Sequence, residues 1–82
     1  MAFAQQKVSG TITNTTGQPI NKVEVYDKVS GRLATTNTQG YYEFSTEKTD
    51  ITLVFFSYEF QIKEVQITID ADVVLNQTLE PL

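Results

Sequence analysis

Hydrophobic and polar side chains alternate with a period of two along nearly the whole chain, and no segment shows the 3.6-residue spacing of a helix. β-Branched and aromatic residues are abundant while Ala and Leu are sparse, which suits strands. A first strand is expected from Lys7 to Thr13, with Val8, Gly10 and Ile12 on one face and Ser9, Thr11 and Thr13 on the other. A second runs from about Ile20 to Asp27 with Val23 and Val25 inward. The third, Arg32 to Thr36, is short and polar, as suits a sheet edge, where long apolar strands invite aggregation. Tyr42 and Phe44 alternate with Tyr41, Glu43 and Ser45 in a fourth. Ile51 to Phe56 is almost continuously apolar, so both of its faces are expected to be covered. Farther on, Val65, Ile67 and Ile69 sit at odd positions whereas Ile62 is even, and this change of phase predicts a bulge or bend. Val73, Leu75 and Leu79 complete the last strand. Seven short strands, with turns at intervals of roughly 8 to 12 residues, predict an all-β, two-sheet sandwich.

The breaks carry turn chemistry. In "NTTGQP" Asn14 can bond its own backbone, Gly17 can take positive φ and Pro19 cannot donate to a ladder. In "TNTQGYYEFS" the turn formers Asn37 to Gly40 lead directly into the alternating aromatic strand. A phosphate-cradling glycine loop would be followed by a helix, whose free amides and dipole hold the anion. No helical pattern follows Gly40, so it is read as a hairpin corner.

Composition narrows the function. With 82 residues, 40% hydrophobic and a net charge of -4, the chain is one folded, mildly acidic domain. Its six Lys and Arg are scattered, whereas nucleic-acid binding needs a basic stripe to neutralise phosphates, so no nucleic-acid partner is expected. The absence of Cys and His removes thiolate and imidazole metal ligands, disulfides, and the usual general base near neutral pH. Asp70 and Asp72 lie two apart, but the apolar run after them lacks the oxygen ligands of a calcium loop, and they are read as turn residues. Glu43, Glu47 and Glu59 are separated by loops, which gives no acid/base pair. No catalytic residue, metal or cofactor is expected. The two Asn-x-Thr triplets, at Asn14 and Asn76, are read as chance in a Thr-rich chain.

One cluster remains as a surface candidate. Phe56, Tyr58 and Phe60 share one parity and straddle a predicted bend, with Glu59 between the last two. Either the bend leaves part of this group exposed as a contact patch, or it turns all three beneath the loops as core bulk.

The ordered features resemble the carboxypeptidase regulatory-like domain, a transthyretin-like sandwich with Ig-like topology, in the form found at the N-terminus of TonB-dependent receptors of Bacteroidetes. Val8-Ser9-Gly10-Thr11-Ile12 matches its apolar-x-Gly-x-apolar strand, and Gly17-Gln18-Pro19-Ile20 its Gly-x-Pro-apolar turn. Val23 and Val25 match the next strand, and Thr36 to Tyr42 its Thr-Asp-x-x-Gly-x-Phe corner, with Asn37 in place of Asp. The resemblance spans residues 7 to 81. A Gly-Tyr pair common after the fifth strand is here Glu59-Phe60, so that turn has either changed shape or is strained.

The resemblance implies a non-catalytic periplasmic module, exported by a signal peptide, on the periplasmic side of the outer membrane. Its implied partners are a periplasmic protein or the receptor's own plug and barrel, its only membrane contact is through the parent barrel, and the isolated domain is expected to be monomeric. Its role would be to support uptake of glycans, siderophores or other large nutrients. It also favours reading Ala2-Phe3-Ala4 as a cleavage-site remnant, with residues 1–6 preceding a domain at 7–82. The alternatives are a structural spacer or a carbohydrate-binding sandwich module of a secreted or cell-surface protein.

Overall fold

The computed structural model describes residues 5–82, so the Ala2-Phe3-Ala4 reading lies outside the described residues. Eight strands form: β1 (Gln6–Thr13), β2 (Glu24–Asp27), β3 (Gly31–Thr35), β4 (Tyr41–Thr46), β5 (Asp50–Phe56), β6 (Lys63–Thr68), β7 (Val73–Val74) and β8 (Gln77–Thr78). None of the described residues is helical. In the first sheet β4 lies antiparallel on one side of β1, and β7 and β8 follow each other parallel to β1 on the other side. The second sheet has the order β3-β2-β5-β6, antiparallel throughout. The all-β, two-sheet sandwich is as expected.

The strand count differs by one because the expected last strand is interrupted. Val73 lies opposite Val8 and Thr78 opposite Thr13, so β7 and β8 keep a single register along β1. Between them, the Leu75 carbonyl moves in over Gly10; a Cβ at that glycine would stand 1.9 Å from the Leu75 oxygen. Asn76 then fills the gap in the ladder, its Oδ1 accepting a bond from the Thr11 amide at 2.8 Å.

Alternation decides what is buried. Val8 and Ile12 of β1, Val25 of β2, Tyr42 and Phe44 of β4, and Leu53 and Phe55 of β5 face the core between the sheets. The Tyr42 ring meets Phe55 edge-on at 5.8 Å and stacks beside Phe44 at 6.4 Å. Each such buried side chain contributes about 1.5–3 kcal/mol from removal of apolar surface from water. The outward residues of β5, Thr52, Val54 and Phe56, are partly covered, in keeping with its apolar character.

The change of phase near Ile62 has another cause than a bulge. The β5–β6 register runs without a shift from Asp50 opposite Thr68 to Phe55 opposite Lys63. Ile62 precedes β6 and is 60% exposed, and a turn at residues 57–60 carries the phase change. A register shift does occur between β2 and β3, at Val25 and Tyr26, where it twists the edge strand.

Candidate functional site

Three hydrogen-bonded turns hold one end or another of the sandwich, and their residue types explain the motifs in the sequence. At the 36–42 corner, Thr36 is buried just beyond β3; its hydroxyl donates to the Ile20 carbonyl at 2.7 Å and accepts from the Val23 amide at 2.8 Å. Asn37 Oδ1 accepts from the amides of Gln39 at 2.9 Å and Tyr41 at 3.0 Å. Both are acceptor roles, which a carboxylate fills equally, so Asn in place of Asp leaves the corner intact. Gly40 has φ 74° and packs where a Cβ would lie 2.5 Å from the Ile12 carbonyl oxygen. Tyr42 is buried and its hydroxyl donates to the Leu75 carbonyl at 2.6 Å. Burial pushes that phenol's pKa up, so it stays a donor. At the 14–18 turn Asn14 Oδ1 bonds the amides of Thr16 and Gln18, Gly17 has φ 86°, and Pro19 forms an isolated bridge with Thr13.

Asp27 is a residue that periodicity assigned only to the end of a strand. It is 3% exposed at the β2–β3 turn, where it accepts from the Val29 amide at 2.9 Å, the Ser30 hydroxyl at 2.8 Å and the Lys48 ammonium. The hydrogen bond from Lys48, then that from Val29, holds its carboxyl well below the usual carboxylate range against the opposing effect of burial. The charge is fully used by neighbours from one turn and the β4–β5 connection, which makes it a structural tie. Asp72 is likewise occupied: its Oδ1 accepts from the Lys7 amide at 2.8 Å. Among the described residues no three acidic side chains gather as a metal site would require, and no buried side-chain N or O lacks a hydrogen-bond partner.

The aromatic cluster is divided by the turn at 57–60. Phe56 lies on the outward face of β5, partly covered, and meets the ring of Tyr58 edge-on at 5.2 Å. Tyr58 is 85% exposed and Glu59 is also exposed, whereas Phe60 turns back to pack against the core and pairs with Pro81. Parity does not survive a turn, so three residues of one parity part company. Neither Glu59 nor Phe60 has positive φ; the turn closes through the Phe60 amide and the Ser57 carbonyl at 3.2 Å. With Glu59-Phe60 in place of a Gly-Tyr pair, the turn thus closes without holding either residue in the left-handed region.

Tyr58 forms one wall of an open groove of about 580 Å³ on the outer side of the second sheet, lined also by Lys22, Glu24, Arg32, Thr35 and Glu59. Arg32 and Glu24 pair across β2 and β3 at 3.2 Å. Next to them Tyr26 has its phenol pKa raised, by desolvation first and by the neighbouring Glu24 second. Lys22 is the one non-glycine with positive φ, 64°, among the described residues, and it stands at the groove's rim. Sequence reading missed these partners because they come from two strands and two turns, and only pairing brings them together. The arrangement offers an aromatic plane and paired charges of both signs.

These features define a class, a small sandwich domain with a structured interior and one polar-aromatic outer face. The sequence matches the CarboxypepD_reg-like domain family over residues 8–81 and belongs to that family. No curated protein matches the sequence. Among solved structures, a type II cohesin–X–dockerin complex from Acetivibrio cellulolyticus matches with TM-score 0.76 and 17% identity, over 90% of this chain and 56% of that one. A DUF3823 family protein from Bacteroides ovatus matches with TM-score 0.72 and 14% identity, over 95% of this chain and 45% of that one. The C-terminal domain of the Caf1A usher matches with TM-score 0.59 and 7% identity, over 92% and 97%. At these identities the likeness is one of fold. The chain spans about half the length of the first two structures.

Proposed function

We propose that this domain is a non-catalytic accessory module of a TonB-dependent outer-membrane transporter, exported by a signal peptide and held on the periplasmic side of that membrane. It supports uptake of a large nutrient of glycan or siderophore type by protein contact, either with a periplasmic partner or with the receptor's own plug. Membership of the CarboxypepD_reg-like family across the whole fold carries this reading. The DUF3823 structures from Bacteroides and Parabacteroides lend it a consistent bacterial setting. The contact surface is the outward face around Phe56, Tyr58 and Glu59, where an exposed aromatic ring is flanked by the Arg32–Glu24 pair. Aromatic anchors rimmed by charge are the usual composition of such contacts.

The test is a backbone-amide NMR titration of the domain with the periplasmic part of TonB and, separately, with the plug of the parent receptor. Shifts confined to residues 56–59 and the neighbouring Arg32 and Glu24, lost in Tyr58→Ala, are the expected result. No shift with either protein overturns the reading. The isolated domain is expected to sediment as a monomer. A second reading, a carbohydrate site in the same groove, is favoured by the Tyr58 plane beside the hydroxyl of Thr35 and paired charges. Shifts with maltoheptaose and none with the proteins would favour it.

A further inference from the structure

The two ends of the fold leave from opposite ends of a single strand pair. β1 starts at Gln6, and β7 and β8 run parallel to it in one register, so that Thr78 reaches the level of Thr13 at the far end. Beyond β8 the chain continues in the same direction and pairs antiparallel with residues 59–61, as Gln61 N donates to Glu80 O at 2.8 Å and Leu82 N to Glu59 O at 3.2 Å. Tension on the two ends therefore draws β1 and β7–β8 past each other along their length. All the bonds between them then carry load together, whereas in an antiparallel hairpin pulled from one end they open one at a time.

We propose that the β1–β7–β8 pair is a mechanical clamp, and that the domain's further function is to bear tension along the chain without unfolding. β7 and β8 are two residues each, too short to resist alone, and side chains complete the clamp. Asp72 Oδ1 takes the Lys7 amide and Asn76 Oδ1 the Thr11 amide, both at 2.8 Å. Between and beyond them Leu75 N bonds Ser9 O at 2.7 Å and Leu79 N bonds Thr13 O at 2.8 Å. Four bonds are thus spaced along the loaded edge. Tyr42 pins the interruption from the other side of β1, through its hydroxyl on Leu75 O at 2.6 Å, and Gly10 is the residue that lets that carbonyl approach. The clamp uses only this domain's residues, so it acts equally in a transporter extension or in a spacer.

Single-molecule force spectroscopy tests it, because forced unfolding reads the barrier to opening rather than the equilibrium stability. The chain has no cysteine, so Glu47→Cys supplies a unique handle at an exposed residue just after β4. Gln6 lies opposite Thr46, and pulling between the N-terminus and position 47 therefore peels β1 from β4 at one end. At equal loading rate, rupture through the two termini is expected at a force at least about twofold above peeling, since bonds loaded together resist as a set. Asn76→Ala should lower the terminal rupture force and leave the peeling force unchanged, whereas Thr36→Ser, off the clamp, should not lower the terminal force. Equal or weaker resistance through the termini overturns the proposal, as does an Asn76→Ala effect equal in both geometries. The first comparison needs no change in the clamp itself and decides the matter even where Asn76→Ala does not fold.

Discussion

Replacing Thr36 by Val keeps its shape and β-branching and removes only the hydroxyl, which bridges the Val23 amide and the Ile20 carbonyl at a site 3% exposed. A buried donor left without a partner costs about 1–3 kcal/mol, and loss of the second bond about 0.5–1.5 kcal/mol. The methyl gained returns about 0.8 kcal/mol at most. The expected net loss is about 1–4 kcal/mol, centred near 2. An 82-residue domain holds about 4–12 kcal/mol in total, so this one oxygen carries a large share. In urea unfolding followed by circular dichroism, the midpoint should fall by about 1–2 M with the slope unchanged. Thr36→Ser keeps both bonds, gives up a methyl, and should cost only about 1 kcal/mol. If Thr36→Val lies within about 0.5 kcal/mol of the native chain, or Ser costs as much as Val, the hydroxyl is not what holds the corner.

Two of the three positive-φ glycines, Gly40 and Gly17, should separate in thermal melts. Gly40→Ala meets both an unfavourable φ and the Ile12 carbonyl, for a loss of about 2–4 kcal/mol, whereas Gly17→Ala at φ 86° has open space around it and should cost about 1–2 kcal/mol. Asp27 has a folded pKa below its unfolded value, so the stability it contributes is complete above about pH 4 and is lost as pH falls through and below that point. Acid titration of the unfolding free energy should show this fall, and Asp27→Asn should flatten it; an unchanged slope would place the acid sensitivity elsewhere. Removing residues 81–82 takes away the Leu82–Glu59 bond and the Pro81 cover of Phe60. Hydrogen exchange at Gln61 and Phe60 should then quicken while that of β1 and β4 does not, and unchanged exchange would mean that the turn at 57–60 holds itself.

What the sequence made legible was everything governed by period two or by turn chemistry. Val8, Ile12, Val23, Val25, Tyr42, Phe44 and the odd residues of β5 are buried where alternation put them, and Gly17 and Gly40 take the positive φ that their turns require. Alternation failed where a turn or a side chain replaced the ladder. The phase change at Ile62 reflects the bend at residues 57–60, across which parity resets and parts Tyr58 from Phe60, and the last strand is split because Asn76 substitutes its side chain for a main-chain acceptor. Asp27 gave no sequence signal beyond a polar residue at a strand end, since its partners Ser30 and Lys48 meet it only after folding. The groove beside Tyr58 was half legible. Its aromatic residues stood together in the chain, but Lys22, Glu24 and Arg32 reach it through the pairing of β2 with β3 and β5.

The distribution of polar side chains over this small fold has a consequence for how its two proposed roles meet. Asn14, Asn37, Asp72 and Asn76 around the first sheet, and Asp27 at the β2–β3 turn of the second, spend acceptors on main-chain amides, so little ligand-binding capacity is left at these turns. The outer face of the second sheet keeps its side chains free of such duties, apart from exposed ion pairs whose net worth is about 0–1 kcal/mol and which a partner can rearrange cheaply. Residues 80–82, beyond β8, bond the segment 59–61 that follows the Tyr58 turn. Load passing through Leu82 thus reaches the Tyr58 turn before it reaches the clamp. A partner seated on Tyr58 would reinforce the segment that takes the first pull, and tension strong enough to strip that segment would loosen the partner while β1 and β7–β8 still hold the domain folded.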